Sequence, residues 1–396
     1  MVYLDYNSTA APFPEVIEAM MACLQGPPGN PASQHQPGQT ARRELESARS
    51  QILTAFGGVD GKDQLILTSG ATEANNLALR GIANGPGGVA ISAIEHPSVT
   101  GPADWLASQN HRVHHIRVDS DGQLDLAHLD ELLQQDLRLV SLMLANHETG
   151  VIQPVQLVTQ KCREHGVAVH TDATQAAGKM DIDIEELGVD ALTFSAHKFQ
   201  GPVGVGGCIL RATIADHCHP LLYGGFQQSA LRPGTESTPL AVGAAAALAV
   251  WQDRGESLRV RITAHRDAFE RLLLRQLQGI VIHGQRSPRN PQTSNVGFCG
   301  LDRQALWLAL DQAGVACSTG SACASGSSQV SAVLSAMKLP SEQIEGALRF
   351  SFGSLTTAAE VELAVEHISR IYNHLRSSRY ARKRPEPSRE EAKKTL

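Results

Sequence analysis

Short apolar runs recur along the first half of the chain, and most end in a cluster of small or polar residues. Leu65-Ile66-Leu67-Thr68 runs into Ser69-Gly70, and the run at 89–92 precedes Glu95-His96. The run at 139–144 precedes Asn146-His147-Glu148, 167–170 leads to Asp172, and 191–194 leads to Lys198. Stretches 113–118 and 206–210 read as further strands. Runs of this kind, without polar alternation, fit strands buried on both faces. Between them, 73–82 and 155–165 carry the spacing of helices. Strands alternating with helices predict an α/β fold with a mostly parallel sheet covered on both sides. Ligands of such sheets bind beyond the carboxyl ends of the strands. The polar clusters at 69–72, 95–96, 146–148, 172–175 and 195–198 fall there.

The second half reads differently. A long helical stretch over 240–278, expected to break near Gly255, bridges into a second domain with strands at 280–283 and 293–298 and helices at 303–313 and 358–375. The expected division is a large domain over 15–255, a smaller α+β domain from 1–14 and 256–376, and a mobile polar tail over 377–396. Arg379, Arg382, Lys383 and Arg384 of that tail are either solvated or available to an acidic partner.

Composition narrows the classes. With 42% hydrophobic residues in 396, the chain is long enough for a large core plus a smaller one. A net charge of -6 argues against a generic nucleic-acid binder. The start of the chain has neither a basic region nor a long apolar segment, and the Ala-rich stretch 240–251 is too short to span a bilayer. A cytoplasmic location is therefore expected, without membrane attachment. The seven cysteines have no regular spacing and fit a reducing compartment. His217-Cys218-His219 are consecutive and cannot readily converge on one ion, so no metal is expected.

Several residues are candidates for chemistry, each with a plainer alternative. Lys198, at a strand end beside the expected crevice, is either a surface lysine or an amine whose pKa a partly dry site lowers toward nucleophilicity. Asp172 is either a helix cap or a buried carboxylate that requires a cationic partner. The strand-to-helix turn Ser69-Gly70-Ala71-Thr72-Glu73 offers free amides at a positive helix end, a seat for phosphate or simply a capped helix. His96 is placed to stack on a planar ring or to bond within its loop. Arg349, in Leu348-Arg349-Phe350-Ser351, suits a carboxylate or a salt bridge. Cys323 sits among small residues, from Ser318 to Ser328, that cannot pack a core. It reads as an exposed thiol in a mobile loop, whereas Cys317 reads as core.

Taken in order, these blocks resemble the cysteine desulfurases of the NifS/IscS type, within the class V aminotransferase group of fold-type I pyridoxal-phosphate (PLP) enzymes. The resemblance runs from Tyr3-Leu4-Asp5-Tyr6-Asn7 to about Arg376. It is most specific at 68–73, 172–175, Ser195-Ala196-His197-Lys198, Arg232-Pro233-Gly234-Thr235-Glu236 and Thr319-Gly320-Ser321-Ala322-Cys323. It implies a large domain with a sheet of seven-stranded type. It implies Lys198 as the Schiff-base lysine, Asp172 on the pyridine nitrogen and Gln175 at the ring hydroxyl. His96 would stack on the ring and move protons. Ala71, Thr72, Ser195 and His197 would hold the phosphate, with Thr235 arriving from the other subunit of a homodimer. Asn30, in Gly29-Asn30-Pro31, and Arg349 would bind the substrate carboxylate, and Cys323 would accept sulfur as a persulfide.

Two departures stand out. Asn146-His147-Glu148 has His147 where the family has an asparagine at the cofactor, and Gly224-Gly225-Phe226-Gln227-Gln228 replaces a Gly-Gly-Gly-Gln/His-Glu stretch. The implied reaction releases alanine from L-cysteine and passes sulfur to an acceptor protein, as in iron–sulfur cluster biosynthesis. Selenocysteine lyase or another reaction of the same group is the nearer rival. A catalytically silent scaffold is the remoter one, opposed by the presence of Lys198, Asp172 and Cys323.

Overall fold

The computed structural model describes residues 1–320 and 330–382. A short strand, β1 (Val2–Tyr3), leads to helix α1 (Pro14–Gln25) and then to α2 (Gln36–Ala55). Next come β2 (Gln64–Thr68), α3 (Ala71–Ile82), β3 (Gly88–Ser92), α4 (Pro97–Ser108) and β4 (Val113–Ile116). Strands β5 (Leu137–Met143), β6 (Ala168–Asp172), β7 (Ala191–Ser195) and β8 (Gly206–Leu210) complete the main sheet. Its order is β2-β8-β7-β6-β5-β3-β4, and only β8 runs against its neighbours. Strands β3, β7 and β8 are buried along their whole length, because helices cover both faces.

A second unit follows. Strands β9 (Ile280–Ile282), β10 (Thr293–Phe298) and β12 (Ala347–Ser351) form an antiparallel sheet in the order β12-β10-β9. Strand β11 (Val315–Ala316) pairs in parallel with β1. An isolated bridge from Asp5 to Ser351 and another from Ser318 to Arg349 tie the chain's start, β12 and the segment before residue 320 together.

The α/β class and the mostly parallel sheet stand as expected, with most boundaries within a few residues. Two expectations need correction. The long helix, Thr238–Gln276, runs unbroken through Gly255. One glycine costs a helix about 1 kcal/mol, and this helix packs on α1 and α2 and on the last helix, which more than offsets that. The last helix, Ala358–Arg382, also runs into the stretch expected to be a tail, so Arg379 and Arg382 are helical. Lys383 and Arg384 lie outside the described residues. Among the described residues no helix is long and apolar enough to cross a membrane.

Candidate active site

A cavity of about 790 Å³ opens beyond the carboxyl ends of the parallel strands. Its wall draws on the turn before α3, the loop entering α4, residues 145–148, the ends of β6 and β7, and Arg349 of β12.

Lys198 reaches the cavity because β7 ends at Ser195 and one 3-10 turn, Ala196–Phe199, follows. Its Nζ donates to the carbonyls of Asn7 at 2.6 Å and Ser8 at 2.7 Å, which tether the amine. Asp172, the last residue of β6, is buried and accepts from the Thr174 backbone N–H at 2.9 Å and from Asn75 Nδ2 at 2.8 Å. Gln175 donates from Nε2 to the Asn7 carbonyl at 3.0 Å, while its Oε1 is buried without a hydrogen-bond partner among the described residues.

The turn before α3 leaves the helix end without a side-chain cap. Gly70 caps the helix with no side-chain bond, so the first-turn amides face the cavity mouth at a positive helix end. A Cβ on Gly206 of β8 would sit 2.8 Å from Gly70 Cα, so glycine at 206 lets that turn pack against the sheet. Ser195 and His197 line the same corner. Burial, with the Lys198 and Lys179 charges, pushes His197 down to about 4, and its Nδ1 lies 3.1 Å from Thr9 Oγ1.

His96 caps α4, its Nδ1 accepting from the Ser98 N–H at 3.1 Å. Its ring meets that of His147 edge-on, with centroids 5.2 Å apart. Burial holds His147 well below the usual histidine range. Arg349 is buried and donates to Asp5 Oδ1, Ser8 Oγ and the His147 carbonyl, each at 2.9 Å.

The cavity thus gathers Lys198, Asp172, Gln175, His96, His147, Ala71, Thr72, Ser195, His197 and Arg349. It does not gather Asn30 or Thr235, both exposed and away from its lining. Cys323 lies outside the described residues, although Gly320 and Val330, on either side of the undescribed stretch, both line the cavity. Every described cysteine has its thiol pushed up by burial, Cys162 and Cys218 to about 12. Cys317 is buried, as read from the sequence. Sequence reading missed Asn7, Ser8 and Asp5 as partners of the site. It also missed Lys179, a buried amine without a hydrogen-bond partner among the described residues, lowered to about 7 by burial and by the Lys198 and Arg349 charges.

Comparison with known proteins extends the picture. The profile of the class-V aminotransferase family matches residues 2–363. The cysteine desulfurase IscS of Dictyoglomus turgidum is 37% identical over 382 residues, 95% of each chain. A cysteine desulfurase of Cereibacter sphaeroides is 39% identical, over 95% of this chain and 97% of that one. Among solved structures, a NifS-like protein from Rickettsia africae superposes with a TM-score of 0.86 at 29% identity, over 94% of this chain and 99% of the other.

Proposed function

The chain belongs to the class-V aminotransferase family, and from that premise we propose that it is a pyridoxal-phosphate-dependent L-cysteine desulfurase that releases alanine and keeps the sulfur as a persulfide on Cys323. The carrying observation is that one cavity holds a tethered lysine, a buried aspartate and an uncapped helix N-terminus.

The residues fit the cofactor. The cavity has room for it, the first turn of α3 lacks a cap that would compete with a phosphate, and the buried Gln175 Oε1 awaits a partner. Ala71, Thr72, Ser195 and His197 would hold the phosphate, Asp172 the ring nitrogen, Gln175 the ring hydroxyl, and Lys198 the cofactor itself through a covalent bond. When bound, pyridoxal phosphate supplies an electron sink for charge developing at the substrate's α-carbon. Lys198, once free, moves the proton at that carbon, with the Asn7 and Ser8 carbonyls directing its Nζ. Arg349 orients the substrate carboxylate through its guanidinium. Cys323, as thiolate, attacks the substrate sulfur. The carbon–sulfur bond breaks, a sulfur–sulfur bond forms, and the electron pair stays with the alanine carbon skeleton.

The exposure of Thr235 and Asn30 fits roles outside a chain's own cavity wall. Thr235 would reach the phosphate of a second copy in a homodimer, and Asn30 would meet the substrate carboxylate from a neighbouring loop. A fully active monomer in sedimentation would refute the first of these.

Borohydride reduction followed by peptide mapping tests the cofactor assignment, and the tag should fall on Lys198. A tag on Lys179 or Lys161 would overturn it. Cys323→Ala should still bind cofactor and substrate yet form no persulfide, read by mass spectrometry beside alanine release. Full desulfurase activity in that variant would sink the sulfur-transfer step.

A further inference from the structure

Behind the cavity wall, Asp172 and His96 are joined by a buried hydrogen-bonded chain whose other members none of the roles above uses. Ser141 Oγ lies 2.8 Å from His170 Nδ1, and His170 Nε2 lies 3.1 Å from Thr193 Oγ1. The Thr193 hydroxyl meets Asn75 Oδ1. Asn75 Nδ2 donates to Asp172 Oδ2 at 2.8 Å and to Ser98 Oγ at 2.9 Å. Ser98 Oγ lies 2.8 Å from His96 Nδ1, and the Ser98 backbone N–H reaches the same nitrogen at 3.1 Å. Ser141, His170, Thr193, Asn75 and Ser98 are all buried.

The protons of this chain can be placed from what each group is able to donate. A carboxylate only accepts, so Asn75 must turn Nδ2 toward Asp172. The second Nδ2 hydrogen goes to Ser98 Oγ, and Asn75 Oδ1 is left to receive the Thr193 hydroxyl. Thr193 then accepts from His170 Nε2, and His170 takes the Ser141 hydroxyl on Nδ1. At the other end, Ser98 Oγ accepts from Asn75, lies 2.8 Å from His96 Nδ1 and has one proton it can give there. The Ser98 backbone N–H, fixed by the first turn of α4, aims at the same atom. Two donors converge on His96 Nδ1 and leave no place for a proton.

We infer that His96 is locked as the neutral imidazole with its proton on Nε2, and that Ser98 and Asn75 are the positioning residues that lock it. In this form His96 can donate a hydrogen bond from Nε2. Protonating Nδ1 would set two donors against a third, and stripping Nε2 would leave an imidazolate. Burial lowers the His96 pKa, the Lys198 and Arg349 charges act the same way, and Asp172 opposes them. His147, in ring contact, is itself held neutral by burial. The inference rests on the proposed function for what His96 faces, though not for where its proton sits.

Neutron diffraction of the cofactor-loaded protein reads that proton directly. So do ¹⁵N spectra of histidine-labelled protein, with His96 identified by subtraction of His96→Gln. The expected result is a bare Nδ1 and a protonated Nε2 on both sides of neutral pH. A proton on Nδ1, alone or with one on Nε2, would overturn the inference. Ser98→Ala removes the hydroxyl donor and Ser98→Thr keeps it. Because the backbone N–H remains in both, Nδ1-protonated His96 should appear at a higher pH in the alanine variant than in the threonine variant. Identical spectra for the two would remove Ser98 and Asn75 from the argument. Should either variant fail to fold, the wild-type measurement decides alone. Visible absorbance of bound cofactor is followed in parallel: its absence would sink the proposed function while leaving the tautomer readable.

Discussion

The two walls of the cavity differ in how completely their polar groups are met. On the wall formed by α3, α4, β6 and β7, Asp172, Asn75, Thr193, Ser98 and His170 close a network in which each has a partner. On the wall where the start of the chain and residue 147 meet β10 and β12, Asn7 Oδ1, His147 Nδ1, Asn295 Oδ1 and Arg349 Nε are buried without hydrogen bonds among the described residues. Buried polar atoms left unmet cost free energy, so the second wall is incomplete without a ligand or water. The exception on the first wall is Gln175 Oε1, unmet among the described residues, where the cofactor's ring hydroxyl is proposed to bind.

The largest expected effect breaks the closed wall. Asn75→Leu removes one buried partner each from Asp172, Ser98 and Thr193, and an unmet buried polar atom costs about 1–3 kcal/mol. Urea unfolding of the cofactor-loaded protein should show a loss of about 3–5 kcal/mol. A loss under about 1 kcal/mol would mean that the network does not act as a unit.

Arg349→Ala probes the open wall and should act on the substrate instead. The KM for cysteine should rise about thirty- to a thousand-fold, equivalent to about 2–4 kcal/mol, with cofactor affinity nearly constant. Unchanged cysteine kinetics would place the carboxylate elsewhere.

A smaller effect separates the walls by pH. Burial lowers His170 from the ordinary histidine value of 6.5 to about 4. Between those values the unfolded chain binds a proton that the folded chain refuses. The stability contribution is complete above pH 6.5 and is lost as pH falls toward 4, at up to about 1.4 kcal/mol per pH unit. His170→Asn should flatten the fall of the unfolding midpoint across this window, although His197 and His283, also at about 4, will keep part of it. An unaltered slope would move the acid sensitivity to other groups.

The smallest effect is expected at His147. His147→Asn exchanges a neutral ring with an unmet nitrogen for an amide, so cofactor binding should tighten by no more than about tenfold in a fluorescence titration. A large loss of activity would give the imidazole a task of its own.

The same contrast explains what the sequence could reveal. Lys198, Asp172, His96 and Ala71-Thr72 were legible because they follow apolar strands, where a parallel sheet places ligands. Asn75 was not, since it resembles its half-buried neighbour Asn76. Yet it stands on the same helical face as Leu79 and Ile82, the buried stripe of α3, and a polar residue there has to find partners. His170, Thr193 and Ser141 passed as ordinary members of buried strands. Helix α2 was missed although Leu45, Ala48, Ile52 and Leu53 mark its buried face, because its Pro37-Gly38 start and polar composition hide the period. Asp5, Asn7 and Ser8 act on the site largely through long-range contacts that no local pattern encodes.

The unbroken helix Thr238–Gln276 has a mechanical consequence. At 39 residues it is a rod of roughly 58 Å. Its early turns pack on α1 and α2, while Arg266 donates to the Asn290 carbonyl at 2.6 Å, Glu270 pairs with Arg289 at 2.7 Å and Phe269 stacks near Phe350. Neither sheet can melt without loosening this shared beam. Heat should therefore unfold both units in one cooperative transition, and slow amide exchange in the beam's middle turns should report on the stability of the whole molecule.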